Sequence, residues 1–277
     1  MTPFSAKISL YKNDNPEHFK MAIDSIINQS IQPNEIMLTI DGPIPDALNN
    51  IVCNYETKIQ QLKVIRLPQN RGLGIAHQVG VEHCSNQLVA IMDSDDIAVP
   101  DRFEKQLKYF EENPEADIVG GYISEFIDDV QNITGIRDVP ISDIDIKKYM
   151  KKRCSLNHVT VMFKREAVLK SGNYQDWHFN EDYYLWCRML LNGCRFGNIP
   201  DVLVNVRVGN DMYKRRGGWK YFKSEAGLQK YMLNEGIINF FEYFLNIFIR
   251  FFVQVLMPNT IRGFVFTKIF RRKISSK

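Results

Sequence analysis

The sequence predicts an α/β protein: a mixed, mostly parallel sheet flanked by helices, followed by an amphipathic helical segment. Two observations carry this. Short apolar runs of strand length alternate with stretches of helical periodicity between Ala6 and Glu111, which is the pattern of right-handed βαβ crossovers. Three of those runs also give way to polar residues, Asp41, Asn70 and Asp93, and in such sheets ligands bind at the carboxyl ends of the strands.

Ala6 to Tyr11 suits a strand, and Pro16 to Gln29 spaces Phe19, Ala22, Ile23, Ile26 and Ile27 as one face of a helix. Ile36 to Ile40 is a second strand, ending in Asp41-Gly42-Pro43, and Leu62 to Leu67 a third, ending in Pro68-Gln69-Asn70-Arg71-Gly72. Helical stretches fill residues 45–58 and 74–84. Leu88 to Met92 is the fourth strand and runs straight into Asp93-Ser94-Asp95-Asp96. Beyond Asp101 the spacing predicts a helix over Phe103 to Glu111, a strand near Ile118, an irregular stretch to residue 153, a strand over Val159 to Phe163 and a helix from Glu166 to Ser171. Phe179 to Leu191 reads as a helix whose first turn carries Glu181 and Asp182.

The 277 residues are 45% hydrophobic, enough for one large domain or a domain with an appendage, and disorder is excluded as the main state. A formal net charge of +3 does not imply nucleic acid. The five cysteines form no Cys-x-x-Cys pair and are odd in number, which reads as reduced thiols in a cytoplasmic protein. No basic stretch followed by an apolar one opens the chain, so no export signal is expected.

The chemistry concentrates in Asp93, Asp95 and Asp96. Three carboxylates this close repel one another unless a cation or hydrogen-bond donors compensate. By themselves they read either as a solvated turn before the helix at Asp101 or as a site where a divalent ion meets a phosphate. Gly-Lys-Ser and Gly-Lys-Thr are absent, which excludes a Walker-type phosphate loop, and Gly72-Leu73-Gly74 lacks the third glycine of a dinucleotide fingerprint. Phosphate would have to be held through a metal on carboxylates, helped by Arg or Lys from elsewhere.

Four motifs in order resemble the family 2 inverting glycosyltransferases of the GT-A fold, over roughly residues 5–210. They are Ser9-Leu10-Tyr11-Lys12-Asn13 ahead of the helix containing residues 22–29, Asp41-Gly42, the cluster Asp93-Ser94-Asp95-Asp96, and Glu181-Asp182. Residues 157–163, opening with Asn157-His158, and Val206-Arg207-Val208-Gly209 followed by Arg215-Arg216-Gly217-Gly218 resemble the sub-group that builds O-antigens and exopolysaccharides, amylovoran-type enzymes included.

By position, the resemblance implies that Asp41 reads the uracil edge of a UDP-sugar with Tyr11 close to the base. Asn70 belongs to the loop after the third strand. Asp95 would ligate Mn2+ or Mg2+ on the diphosphate, with Asp93 as its partner or nearer the ribose, while Asp96 would support the turn. Asp182, beside Glu181, would be the general base, since inversion requires a group that takes the acceptor hydroxyl proton opposite the leaving group. His158 would lie on the acceptor side, and Arg215, with Lys214, Arg216, Lys220 and Lys223, would belong to a glycine-hinged basic loop near the donor diphosphate. Two departures stand out: Ala76-His77-Gln78 replaces the common Ala-Arg-Asn, and Ile40-Asp41-Gly42-Pro43 keeps one acid of the usual Asp-Asp-Gly-Ser.

Ile237 to Met257 is long and apolar, yet Asn239, Glu242, Asn246, Arg250 and Gln254 recur every three or four residues opposite a broad aromatic face. A helix lying in a membrane interface fits this better than a span, and a dimerisation helix is the alternative. The tail after Pro258 mixes Arg and Lys with Phe and Ile and has no acid, which suits an anionic leaflet. The expected organisation is a GT-A domain over 1–212 and, over 213–277, a basic loop with amphipathic membrane-associating helices. The resemblance implies transfer of a hexose, galactose or glucose, in β linkage from a UDP-sugar to an undecaprenyl-diphosphate-linked acceptor. The reaction would serve O-antigen, lipopolysaccharide or exopolysaccharide biosynthesis at the cytoplasmic face of the bacterial inner membrane, with no nucleic acid involved. A metal-dependent sugar nucleotidyltransferase, which would need a glycine-rich loop that residues 9–16 lack, and an inactive membrane-bound scaffold are the other readings.

Overall fold

A computed structural model describes residues 2–209 and 217–258. Its first half follows the predicted alternation: β1 (Phe4–Leu10), α1 (Pro16–Ile27), β2 (Glu35–Ile40), α2 (Asp46–Lys58), β3 (Leu62–Arg66), α3 (Leu73–His83) and β4 (Leu88–Met92). Asn15 caps α1 through hydrogen bonds from the Glu17 and His18 amides, and Pro16 opens the helix where its missing N–H costs nothing. A short β5 (Ile97–Ala98), α4 (Arg102–Glu112) and a long β6 (Ile118–Phe126) follow.

The strands form one sheet in the order β3-β2-β1-β4-β8-β6-β9-β5, with β7 (Ile133–Arg137) added on β6. The first four are mutually parallel, β8 (Met162–Lys164) runs antiparallel between β4 and β6, and β9 (Phe196–Arg207) lies parallel to β6. One face packs α1, α2 and α4 around Phe4, Ile8, Phe19, Val52 and Phe103. The opposite face packs α3 and the later helices, including α7 (Glu181–Leu191), around Ile91, Phe163, Tyr183 and Trp186. Side chains alternate along β1, so Phe4, Ala6 and Ile8 enter the first core while Lys7 points towards α3.

Three expectations change. The irregular stretch before residue 153 contains β7 (Ile133–Arg137) and α5 (Asp143–Met150). Helix α5 starts at a Ser142 cap whose side chain accepts from the Asp145 amide, and its 8 residues, about two turns, are too few for periodicity to reveal. Val159 to Phe163 is not one strand, because His158–Thr160 forms a 3₁₀ turn before β8. The Thr160 hydroxyl bonds the Asn157 carbonyl at 2.7 Å and accepts the Gly121 amide at 3.0 Å, a local competitor to the ladder. Lys220 and Lys223 belong not to a loop but to α8 (Trp219–Asn234), whose Leu228 and Met232 enter the second core beside Trp186.

α9 (Phe240–Phe251) begins at a capping box between Asn239 and Glu242 and continues as one π-helical turn over Phe252–Leu256. Its polar stripe faces the protein. Asn246 is buried, donates to the Lys151 carbonyl and Gln229 side chain at 2.8 Å each, and Arg250 pairs with Glu225 of α8 at 2.5 Å. Phe240, Phe241, Phe244, Leu245, Phe248 and Phe252 are exposed, Phe241 by 83%. No helix among the described residues is long and apolar enough to cross a membrane. The expected boundary at 212 and 213 and the basic tail from 259 onward lie outside the described residues.

Candidate active site

Parallel pairing sets the ends of β1, β2, β3 and β4 on one edge. Leu10 pairs with Ile40, Ile40 with Arg66, and Ile8 with Met92, so Tyr11, Asp41, the loop carrying Asn70, and Asp93 all emerge together. Asp41 is buried, and its carboxylate accepts the Arg71 amide at 2.7 Å and the Gly72 amide at 2.9 Å, while Asn70 donates to its carbonyl at 3.2 Å. A carboxylate here complements the open N-terminus of α3 and fixes the loop, with lone pairs left to accept from a ligand. Gly42 is required at this contact: its φ is +85°, and a Cβ would stand 2.5 Å from the Asn70 nitrogen.

Tyr11 is 40% exposed. Its amide donates to Asp14 at 2.9 Å, and burial pushes the Asp14 carboxyl up to about 6, with Asp95 adding to the rise and a Ser94 hydrogen bond opposing it. Asp14 therefore ties the Tyr11 loop to the acidic turn.

Within that turn the aspartates separate. Asp96 is buried and accepts the Arg207 amide at 2.8 Å, joining β4 to the end of β9; burial and then Asp95 and Asp93 hold its carboxyl well above the usual range. Asp93 is half-buried and also raised, by burial first, with Asp95 and Asp182 adding to the rise and His158 and Lys7 opposing it. Asp95 is exposed. Beneath them lies the wholly buried Arg102, which donates to the Ile91 carbonyl at 2.7 Å; burial lowers its pKa to about 9 against the attraction of Asp93 and Asp96.

α7 delivers the second pair of carboxylates. Burial, then the charge of Asp182, raises Glu181 to about 8, and Asp93 contributes as well. Asp182 Oδ1 accepts the Tyr183 amide at 2.6 Å, and the Cys154 thiol lies 3.9 Å from Oδ2. Burial and Asp182 hold that thiol protonated, so it serves as a donor. His158 pairs through Nε2 with the Tyr174 hydroxyl at 3.0 Å and meets His77 edge-on at 4.9 Å. Wholly buried His77 in turn faces the Lys7 amine through Nδ1 at 3.0 Å. Burial lowers Lys7 to about 7, and burial with the neighbouring Lys7 and His158 holds His77 well below the imidazole range. Gly80 of α3 leaves the room Lys7 occupies, since a Cβ there would collide with the lysine chain.

Tyr11, Asp41, Asn70, Asp93, Asp95, His158, Glu181 and Asp182 thus share one end of the sheet; Arg215 lies outside the described residues. Sequence reasoning missed Lys7, Asp14, His77, Arg102, Cys154, Tyr174 and Arg207. The visible signals among them are the lysine inside the strand run Phe4-Ser5-Ala6-Lys7-Ile8, His77 where Ala-Arg-Asn is common, and Arg207 within Val206-Arg207-Val208-Gly209, to none of which sequence reasoning assigns a role. The carboxylate oxygens of Asp93 and Asp95 form a hard donor set, the kind Mg2+ and Mn2+ accept.

A profile of Glycosyl transferase family 2 matches residues 8–171. The chain belongs to this family. It is 37% identical to the amylovoran biosynthesis glycosyltransferase AmsE of Erwinia amylovora over 96% of this chain and 98% of that one. It is 34% identical to the UDP-Gal:alpha-D-GlcNAc-diphosphoundecaprenol beta-1,3-galactosyltransferase of Escherichia coli over 97% of each. Among solved structures, S. aureus TarS 1–349 in complex with UDP-GlcNAc superposes with a TM-score of 0.66 over 90% of this chain and 72% of that one, at 16% identity. The sheet and its flanking helices are the GT-A fold, and the protein is a family 2 glycosyltransferase.

Proposed function

We propose that this glycosyltransferase moves a hexose, galactose or glucose, from a UDP-sugar to the 3-position of an N-acetylhexosamine on an undecaprenyl diphosphate lipid, with inversion to a β linkage. The convergence of Asp93, Asp95, Glu181 and Asp182 at one sheet edge carries the reading, and the activity in the name of the E. coli relative supports the acceptor class. Tyr11, Asp41 and Asn70 frame the uridine. Asp95 would hold Mg2+ or Mn2+, with Asp93 behind it nearer the ribose, and the ion when bound neutralises charge on the departing diphosphate. Asp182 takes the proton of the acceptor hydroxyl as that oxygen bonds to the anomeric carbon and the bond to UDP breaks. Glu181, raised by burial beside it, stays protonated near neutral pH and leaves Asp182 to act as the base. His158 stands on the acceptor side, anchored by Tyr174.

The exposed aromatic face of α9 supports a helix lying in the lipid interface where such an acceptor resides, with the enzyme peripheral at the cytoplasmic face of the inner membrane. The products would be O-antigen, lipopolysaccharide or exopolysaccharide. The test is a transfer assay with a panel of UDP-sugars, a divalent ion and a synthetic GlcNAc-diphospho-lipid, run beside Asp95→Ala and with EDTA. Transfer from UDP-galactose or UDP-glucose that EDTA abolishes is expected; activity indifferent to EDTA and to Asp95→Ala would remove the metal role.

A further inference from the structure

We propose that His77, Asp93 and His158 form a binding site for a divalent transition-metal ion with affinity for nitrogen, such as Zn2+ or Co2+, separate from the diphosphate ion at Asp95. One ligand atom from each of the three lies within 4.8 Å of the other two. A point at the centre of such a triangle stands about 2.8 Å from each corner (4.8 divided by √3). Side-chain shifts of under about 1 Å then reach zinc–ligand lengths of about 2.0–2.2 Å.

The histidines are already arranged as ligands. His77 is completely buried with Nδ1 on Lys7, and its Nε2 has no hydrogen-bond partner, a costly state for a buried polar atom. His158 spends Nε2 on the Tyr174 hydroxyl, leaving Nδ1. A metal-bound imidazole generally donates its other N–H to an acceptor that fixes tautomer and ring orientation; the Tyr174 hydroxyl can accept from His158, and the Lys7 amine, which burial lowers to about 7, can accept from His77 Nδ1–H in its neutral form. Charge points the same way: Asp93 feels the repulsion of Asp95 and Asp182. A cation among them offsets this. Two imidazole nitrogens and one carboxylate select Zn2+, Co2+ or Fe2+ over Mg2+, whereas the exposed Asp95 offers only hard oxygens. Occupied, the site would tie α3, the end of β4 and the His158 turn together and hold Asp93 inward.

The inference needs neither donor nor acceptor, so it stands or falls apart from the transfer reaction. The tag-free full chain, stripped with EDTA, dialysed and kept free of nucleotide, is titrated with Co2+ and followed by its visible d–d absorption. A saturable band at one ion per chain, displaced by Zn2+ and not by Mg2+, is expected. His77→Gln and His158→Asn should each weaken Co2+ binding by more than about tenfold and Tyr174→Phe by about tenfold, with Asp95→Asn unchanged. Absence of a saturable band in the wild type overturns the site, as does a band that survives both histidine variants or vanishes with Asp95→Asn. Should buried His77→Gln misfold, as judged by circular dichroism, the wild type and the half-buried His158→Asn decide.

Discussion

Glu181 and Asp182 are neighbours in one helical turn, yet their surroundings separate their chemistry. Asp182 is oriented by the Tyr183 amide and the Cys154 thiol, which is what a base needs to hold one lone pair on an incoming hydroxyl. Asp182→Asn keeps the shape and removes the basicity, so kcat should fall by about 10²–10⁴ with the KM for the UDP-sugar little changed. Wild-type kcat in that variant would move the base elsewhere. Glu181 makes a different prediction. Its folded pKa, raised from 4.5 to about 8, means that folding favours the protonated form. The associated stability is complete below the unfolded value and is lost as pH climbs through about 8. Glu181→Gln is neutral throughout, so its urea midpoint relative to wild type should improve between about pH 5 and about pH 9. A constant difference across that range would show that Glu181 does not titrate as its burial dictates.

α9 reverses the usual arrangement of a surface helix, with polar residues inward and phenylalanines outward. Its attachment combines hydrogen bonds, the contacts of Phe251 with Trp219 and Phe222 and of Tyr243 with the second core, and the Arg250–Glu225 pair, whose side chains are 11% and 10% exposed. Removing one partner of such a pair leaves the other buried and uncompensated. Glu225→Ala should therefore cost about 3–5 kcal/mol in urea unfolding, while Glu225→Met with Arg250→Met should cost clearly less. Equal losses would mean that packing, not charge, holds the helix. The outward face is a separate matter. Phe241→Ser, Phe244→Ser and Phe248→Ser together touch none of the inward contacts, so they should leave the melting temperature unchanged while abolishing sedimentation with anionic lipid vesicles. Retained vesicle binding would leave the face to another occupant, such as a second copy of the chain. The three-to-four residue polar recurrence made this amphipathicity legible in the sequence, but which side meets the protein was not. That depends on Lys151, Gln229 and Glu225 supplying polar partners from elsewhere in the chain.

The same distinction runs through the molecule. Strand ends with acids can be read locally, because a parallel βαβ unit carries its ligand edge in its own order, and Asp41, Asp93 and Asp95 were found that way. Lys7, His77, His158 and Tyr174 are brought together only when β1, α3, the 3₁₀ turn before β8 and the segment after it pack against one another, and no spacing records that contact. β7 and α5 escaped for the opposite reason, being too short to display a period. Since the ligand edge draws on β1, β2, β4, α3 and α7 at once, nucleotide binding should stabilise the whole domain. At about one hundred times its Kd, UDP with Mn2+ should add about 2.7 kcal/mol. For a chain of this size that corresponds to a rise in Tm of about 5–10 °C. UDP with EDTA should give a markedly smaller rise, and Asp95→Asn should reduce the UDP–Mn2+ shift to that metal-free value, because the aspartate acts on the diphosphate through the ion. A full shift in Asp95→Asn, measured by differential scanning calorimetry, would place the metal on other residues. A full shift with EDTA would show that the nucleotide is held without it.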